Sequence, residues 1–476
     1  MRKNLLLTVL VLTAAGRFAA EPLPPIRVSD NGRYFVRADG RPFFWQADTA
    51  WCIFNHAAPG DVDAYLADRQ AKGFNVIQGV IANWDYVRHT NTDGQLPFIN
   101  GDPGRINERY YQNVDAILDK VRAHGMYMAV LPYWHKNAGD RLATNGIPEK
   151  MQAYCRFLAR RYARQNLFWI LGGDSTAEGE AGEKIQRLTD LEARGLIEGA
   201  RAAGVDKIMI SYHPTGRQSS SFWFHDRDWL DFNSIQSGHF INTTDFQLVG
   251  DDYALTPVKP TLDMESGYEN ITDGLSGRPD ARRILAVDVR RSAYLDAFAG
   301  AAGVTYGQGE VYGFNAGGKV ITRWGTTMSW QEALKLPASG QMQYLRRLIE
   351  SRPMLERVPD QSLIVGEVST HAVQRIEALR GADGSYAFVY LPAGQTNVTL
   401  KLSGFSGAKL VAWWYDPRTG RAEKIGRFAK PDTRAFPTPS SGPGDDWVLV
   451  VDDAASNYSA PGRPDFPSIR HSLKGR

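Results

Sequence analysis

The chain has 476 residues with 11% aromatics, more than one small domain needs; one large domain plus one smaller module is the simplest division. The formal charge is +3, but Arg2, Lys3 and Arg17 fall in the first 20 residues, which hold no acid, so 52 basic and 52 acidic residues balance in the rest. That balance argues against electrostatic capture of nucleic acid or an anionic membrane, and two cysteines, Cys52 and Cys155, are too few for a disulfide-built scaffold.

Residues 1–20 read as a secretory signal. Arg2 and Lys3 precede an apolar stretch from Leu5 to Ala15, and Ala19 and Ala20 offer small residues for cleavage. The stretch is too short to span a bilayer. A secreted or periplasmic protein is the expectation, with no integral membrane segment in the mature chain. Two buried free thiols are expected for Cys52 and Cys155, with a bridge left open.

From residue 27 to 352 strand and helix alternate. PFFWQAD (42–48) is a first buried strand, followed by a helix over 59–73 with Val62, Tyr65, Leu66 and Arg69 at helical spacing. FNVIQGVIA (74–82) is the second strand. The helix over 106–125 has Tyr110, Val114, Ile117, Leu118 and Val121 on one face. MYMAVLPYW (126–134) is the third strand, and a helix through Met151–Ala163 leads to LFWILGGD, the fourth, which ends at Asp174.

A helix near 182–203 precedes KIMISYHP (207–214). A short helical patch near Trp223–Leu230 precedes FNSIQSGH (232–239), and a weaker helix over 244–255 precedes PTLDMES. A helix around Ile284–Ala299 precedes GVTYGQG (303–309), and the last helix covers 340–352. Continuous apolar runs mark strands buried on both faces. Eight alternations predict a (β/α)8 TIM barrel. A doubly wound open sheet is the structural rival, and no GxGxxG follows the first strand, which argues against a dinucleotide site.

After Pro353 the runs SLIVGEV, IEALRG, SYAFVYLPA, NVTLKLS, KLVAWWYDP and DWVLVVDD read as short strands with turn residues between them. They predict a small all-β sandwich over 358–455. Residues 456–476, rich in Pro, Ser and Arg, read as a mobile tail.

Catalytic groups of such a barrel come from the carboxyl ends of its strands. Those ends carry Asp48 and Trp51, Gln78 and Asn83, Trp134 and His135, Asp174, His213, Gln236 and His239, Glu265, and Tyr306. One such group could simply tie down a loop; polar groups at nearly every strand end point to a site. Asp174 and Glu265 are the candidate working pair, since cleavage of a glycosidic bond needs one carboxyl to protonate the leaving oxygen and one to support the sugar cation. Gly172 and Gly173 would let a substrate approach the backbone. Alternation puts Asp263 on the face of Glu265, as a buried structural acid or an orienting partner. Trp51, Trp84, Trp134, Trp223 and Trp324 could stack on sugars or simply pack loops. His213, His225 and His239 lie in the same region without HxH or HExxH spacing, so the metal signal is weak and no cofactor is expected. No GxSxG elbow is present.

These runs resemble the apiosidase-like glycoside hydrolases (glycoside hydrolase family 140). The resemblance rests on GRYFVRADGRPFFWQADTAW, AKGFNVIQ, WILGGD, HPTGRQSSSFWFHDRDWLDFNSIQSGH, KPTLDMESGYE, DVRRSAYLDAFAGAAGVTYG and GQMQYLRRLIESRPMLERVPDQSLI, which cover most of residues 30–365. WYDPRTG and DDWVLVVDD resemble the collagen-binding-type β module attached to that family. The resemblance implies a (β/α)8 barrel, a general acid/base at Asp174, a nucleophile at Glu265, and an apiose-containing pectin such as rhamnogalacturonan-II as the polysaccharide substrate. IANWDYVRH and YWHKN depart from the family form in two subsite loops, which leaves another furanoside or pentoside open. Two other readings stand beside it: a non-catalytic carbohydrate-binding surface protein and a metal-dependent hydrolase.

Overall fold

The computed structural model describes residues 23–82, 90–136, 147–278, 280–315 and 327–463. Residues 1–20, expected to be a signal, and Asn83, Trp84, Trp324 and the residues beyond Arg463 lie outside the described residues.

Eight strands form the barrel: β1 (Trp45–Thr49), β2 (Val76–Ala82), β3 (Tyr127–Tyr133), β4 (Phe168–Ser175), β5 (Met209–Pro214), β6 (Asn233–Gln236), β7 (Thr261–Asp263) and β8 (Gly303–Tyr306). Six lie in one parallel sheet, in the order β8-β1-β2-β3-β4-β5, and β6 pairs in parallel with β7. Side chains and single backbone bonds bridge the two seams. Ser211 Oγ on β5 donates to Phe232 O at 2.6 Å, and Ala302 N donates to Thr261 O at 2.9 Å. The fold is a (β/α)8 barrel. Strands β6 and β7 are shorter than the sequence runs suggest, because the chain turns where polar side chains take over the backbone donors.

The surrounding helices are α1 (Pro59–Ala71), α2 (Glu108–Ala123), α3 (Ile147–Tyr162), α4 (Gly179–Ala202), α5 (Ser221–Phe224), α6 (Asp245–Tyr253), α7 (Ala286–Ala299) and α8 (Pro337–Glu350). Helix α2 buries Tyr110, Val114, Ile117, Leu118 and Val121, the periodic stripe of its sequence. Cys52 and Cys155 are both fully buried.

A three-stranded meander, Ile26–Val28, Phe35–Arg37 and Pro42–Phe43, closes the amino-terminal end of the barrel. Its Phe35 ring lies 5.4 Å from Phe232 and 6.2 Å from Phe168, and Trp45 lies 4.8 Å from Phe168. Rings from the starts of β1 and β4 and from just before β6 fill this end, so the strand carboxyl ends are left for chemistry.

The carboxyl-terminal module has strands β9 (Arg357–Pro359), β10 (Glu377–Gly381), β11 (Tyr386–Leu391), β12 (Asn397–Lys401), β13 (Lys409–Asp416), β14 (Arg421–Ala429), β15 (Thr433–Pro437) and β16 (Trp447–Asp453). They form an antiparallel sheet in the order β9-β10-β11-β16-β13-β14 and a pair β12-β15. SLIVGEV is not a strand: Gln361–Leu363 is a single 3-10 turn, and Ile364 makes one bridge to Leu400.

Alternation along β11 splits the faces. Val389 and Leu391 join the module's own core, whereas Phe388 and Tyr390 join the barrel core. Tyr390 stacks on Tyr294 of α7 at 5.0 Å, and Asp446 binds Arg290 of α7 at 2.6 Å. Helix α7 is therefore buried from Asp288 to Ala299 on all sides. Residues 456–463 are laid down rather than loose: Arg352 sits 4.7 Å over the Tyr458 ring, whose hydroxyl meets Ser385 Oγ at 3.0 Å.

Candidate active site

Strand β4 ends in a bulge. Gly172 pairs with His213 and Ser175 with Pro214, so Gly173 and Asp174 have no partner residue on β5. Three consecutive residues have positive φ: Gly172 (84°), Gly173 (111°) and Asp174 (49°). The glycines are required by the protein's own packing. A Cβ on Gly172 would stand 2.6 Å from His213 O, and one on Gly173 would stand 2.8 Å from Trp134 Cδ2. Aspartate tolerates the left-handed region better than most residues, and the bulge lifts Asp174 out of the strand. There Lys136 Nζ lies 2.9 Å from its Oδ2.

Strand β7 stops at Asp263, and the alternation predicted beyond it does not continue. Asp263 Oδ1 accepts hydrogen bonds from Glu265 N at 3.1 Å and Ser237 N at 3.3 Å. This local bond turns the chain. Asp263 lies beside Asp245 and Asp296 of the helix layer, while Glu265 lies beside Asp174 and His213. The two acids do not share a face.

Glu265 is 4% exposed. His239 Nε2 lies 3.1 Å from its Oε1, and His213 Nε2 lies 3.2 Å from its Oε2. The first is a hydrogen bond; the second is an ion-pair contact whose angle falls short of one. Burial alone would push the Glu265 carboxyl up, but the two imidazoles outweigh it and hold the carboxyl well below its ordinary range. The same charge acts back on His213. Burial lowers its pKa, and Glu265 more than offsets this, so the pKa is raised from 6.5. His213 Nδ1 faces Pro214 O at 3.0 Å, which suits a ring protonated on both nitrogens.

Trp51 and Trp134 pack edge to face at 5.1 Å, each within about 5.5 Å of the His213 ring, with centroids at 5.5 and 5.4 Å. Gln236 ends β6 buried, with Oε1 lacking a partner. Gln78 is a brace: its Nε2 donates to Thr49 Oγ1 at 2.8 Å and to Met264 O at 2.7 Å, just before Glu265.

The structure takes four expected residues away from the pair. Asp48 is fully buried against Tyr65 and Arg69 of α1, with Arg69 Nε 2.6 Å from Oδ2. His135 faces Glu192 at 3.2 Å. His225 lies between Asn233 Oδ1 at 3.2 Å and Pro257 O at 2.9 Å. Tyr306 donates to Glu269 Oε2 at 2.6 Å. In β1 and β8 the side chain that ends the run faces the helix layer, and a list of strand ends cannot tell that side from the mouth. The sequence reading missed two residues. Lys136 has only its place just after β3 to signal it. Tyr268, three residues past Glu265, accepts a hydrogen bond from Trp51 Nε1 at 2.8 Å and packs 4.5 Å from His239.

Asp174, His213 and Glu265 each offer one atom within 4.8 Å of the others. That set could hold an ion, but His213 and Lys136 already set positive charge beside the two carboxylates. Two close carboxyls with protein-supplied cations suit acid–base and covalent chemistry at a polarised C–O bond.

Two family models match the chain: "Apiosidase-like, catalytic domain" over residues 29–356 and "Putative collagen-binding domain of a collagenase" over residues 358–452. A crystal structure of a glycoside hydrolase family 5 protein from Bacteroides vulgatus is 32% identical, with a TM-score of 0.84, over 93% of this chain and 98% of that one. A second structure, described as a glycoside hydrolase, is 31% identical, with a TM-score of 0.81, over 92% of this chain and 98% of that one. A further Bacteroides vulgatus structure, at 15% identity and a TM-score of 0.65 over 90% of this chain and 82% of that one, shares the fold. The curated proteins give no significant match.

Proposed function

The chain belongs to the apiosidase-like family of glycoside hydrolases, and from that premise we propose that it hydrolyses a glycosidic bond by retaining double displacement. Glu265 attacks the anomeric carbon as the leaving oxygen departs with a proton from Asp174. Asp174 then takes a proton from water, which attacks the glycosyl-enzyme and frees Glu265. The observation that carries this reading is the spacing: carboxylate oxygens of Asp174 and Glu265 approach within 4.8 Å. Retaining enzymes hold the two carboxyls about 5–5.5 Å apart, whereas inverting ones need about 6.5–9.5 Å to admit a water. The low carboxyl pKa of Glu265 keeps it an anion ready to attack.

The family resemblance supports an apiose-containing pectin such as rhamnogalacturonan-II as substrate, and the positively charged, apolar start of the chain supports secretion or a periplasmic location. Trp51 and Trp134 would bear on the apolar face of the sugar. The test is incubation with pectin fragments and a panel of aryl furanosides and pentosides, with the first-formed anomer followed by proton NMR. Retention of configuration is expected. Inversion, or full activity in Glu265→Gln, overturns the mechanism. Loss of activity in chelator at an unchanged Tm, restored by a divalent ion, would move the site to the metal-dependent class.

A further inference from the structure

Behind the nucleophile's strand lies a second group of carboxylates that the proposed reaction does not use. Asp245 at the start of α6, Asp263 at the end of β7 and Asp296 in α7 each bring one oxygen within 4.8 Å of the others. All three are at most 3% exposed. Among the described residues, no Lys or Arg forms an ion pair with any of them. Arg291 acts on Asp245 only through space, its Nη2 going to Ile241 O at 2.6 Å and Asp288 at 3.0 Å.

The contrast with the active site is one of charge balance. Asp174 and Glu265 have Lys136, His213 and His239 beside them; this trio has hydroxyl and backbone donors and no cation in contact. Three carboxylates cannot all ionise in a dry interior without a counter-charge. Burial drives each of the three carboxyls up, and for Asp296 the charges of Asp245 and Asp263 come next.

Acidic neighbours alone would not make a site. Here the same residues also carry buried oxygens that nothing among the described residues satisfies. Asp263 Oδ2 and Asp296 Oδ1 are buried without a hydrogen-bond partner. So is the hydroxyl of Thr261, a residue outside the trio and 2% exposed. Thr261 stands two residues before Asp263 on β7, so it points from the same face. Asp245 is bonded at both oxygens, Oδ1 accepting from Phe246 N at 2.8 Å and Oδ2 from Ser292 Oγ, while Asp263 takes Ser237 N and Glu265 N on Oδ1 alone.

We propose that Asp245, Asp263 and Asp296, with Thr261, form a cation site for a calcium-like ion that fixes the base of the Glu265 turn. Oxygens up to 4.8 Å apart span an ion with 2.3–2.6 Å bonds, while magnesium wants 2.0–2.1 Å octahedral geometry and dehydrates reluctantly. Asp263 holds Glu265 N, so an ion would fix the nucleophile's turn to α6 and α7, and Glu377 of β10 adds a further like charge that acts on Asp296.

The test uses the full mature chain. After dialysis into metal-free buffer, elemental analysis is expected to find about one calcium per chain. Stripping with EDTA is expected to lower Tm by several degrees, with calcium restoring it and magnesium doing so poorly. Asp296→Asn should abolish the calcium response. If that variant does not accumulate, Thr261→Val, nearly isosteric, should raise the calcium midpoint about tenfold. Metal-free protein whose Tm ignores calcium overturns the proposal and leaves a proton-sharing cluster. So does an Asp296→Asn variant that melts at or above wild type with the calcium response intact, or an unchanged midpoint in Thr261→Val.

Discussion

His213 Nε2 lies 3.2 Å from Glu265 Oε2, while Nδ1 of the same ring lies 3.0 Å from Pro214 O. Both nitrogens of a fully buried imidazole therefore face acceptors, and its raised pKa means that the folded state binds a proton more tightly than the unfolded chain. This stabilisation is complete below the unfolded value near 6.5 and is lost as pH rises through the higher folded value. Thermal midpoints measured from pH 5 to 10 should fall more steeply on the alkaline side for wild type than for His213→Gln. Parallel curves would refute the imidazolium assignment.

Asp174 and Glu265 should fail differently. Glu265→Gln removes the attacking atom, and turnover should drop on the order of 10³-fold or more on every substrate. Asp174→Ala removes the proton donor, with a loss of about 10²–10⁴-fold on natural linkages. The loss should shrink sharply on aryl glycosides whose leaving groups need no proton. Equal losses on both substrate types would remove Asp174 from the acid role.

Tyr268 should govern turnover rather than binding. Its phenol pKa is held well above 10 by burial and by the Glu265 charge, so it stays protonated between Trp51 and the histidine pair. Tyr268→Phe leaves the Trp51 N–H unpartnered, a cost of about 1–3 kcal/mol. The expected outcome is a lower kcat with KM nearly constant. A raised KM at unchanged kcat would place the ring against the substrate instead.

Much of this arrangement was legible in the sequence. Buried runs announced eight strands because a parallel barrel strand is apolar on both faces, and the acids closing the fourth and seventh runs stand out from such neighbours. What the runs hid was direction. Asp48 and Tyr306 sit at strand ends like Glu265, yet they face α1 and Glu269. The turn made by Asp263 depends on a side-chain bond to the backbone that no periodicity encodes. Helix α7 looked like one more barrel helix, and only the fold shows why its outer face carries Arg290 and Tyr294 for the module.

That module should not be separable from the barrel. Arg290 and Asp446 are at most 4% exposed and paired at 2.6 Å, and Tyr294 and Phe298 of α7 face Tyr390 and Phe388. Asp446→Ala strands a buried guanidinium at about 3–5 kcal/mol, read by denaturant unfolding, with activity per folded molecule unchanged. A chain truncated after residue 356 should be insoluble. A soluble, monomeric truncation melting like wild type would make the module an independent appendage.

The bulge at the end of β4 offers the sharpest separation of geometry from chemistry. Gly173→Ala adds no charge and removes no functional group. Its Cβ would press on Trp134 from 2.8 Å, at a φ of 111° that side chains rarely adopt. Relief requires the bulge to flatten or Trp134 to move, and either shifts Asp174 relative to Glu265. A displacement of about 1 Å can cost on the order of 10²-fold in rate. The variant should stay folded with a lowered Tm and lose kcat at least that much on substrates that need the proton, while activated aryl glycosides are largely spared. Full turnover on the natural linkage would mean that the left-handed bulge does not set the position of the acid.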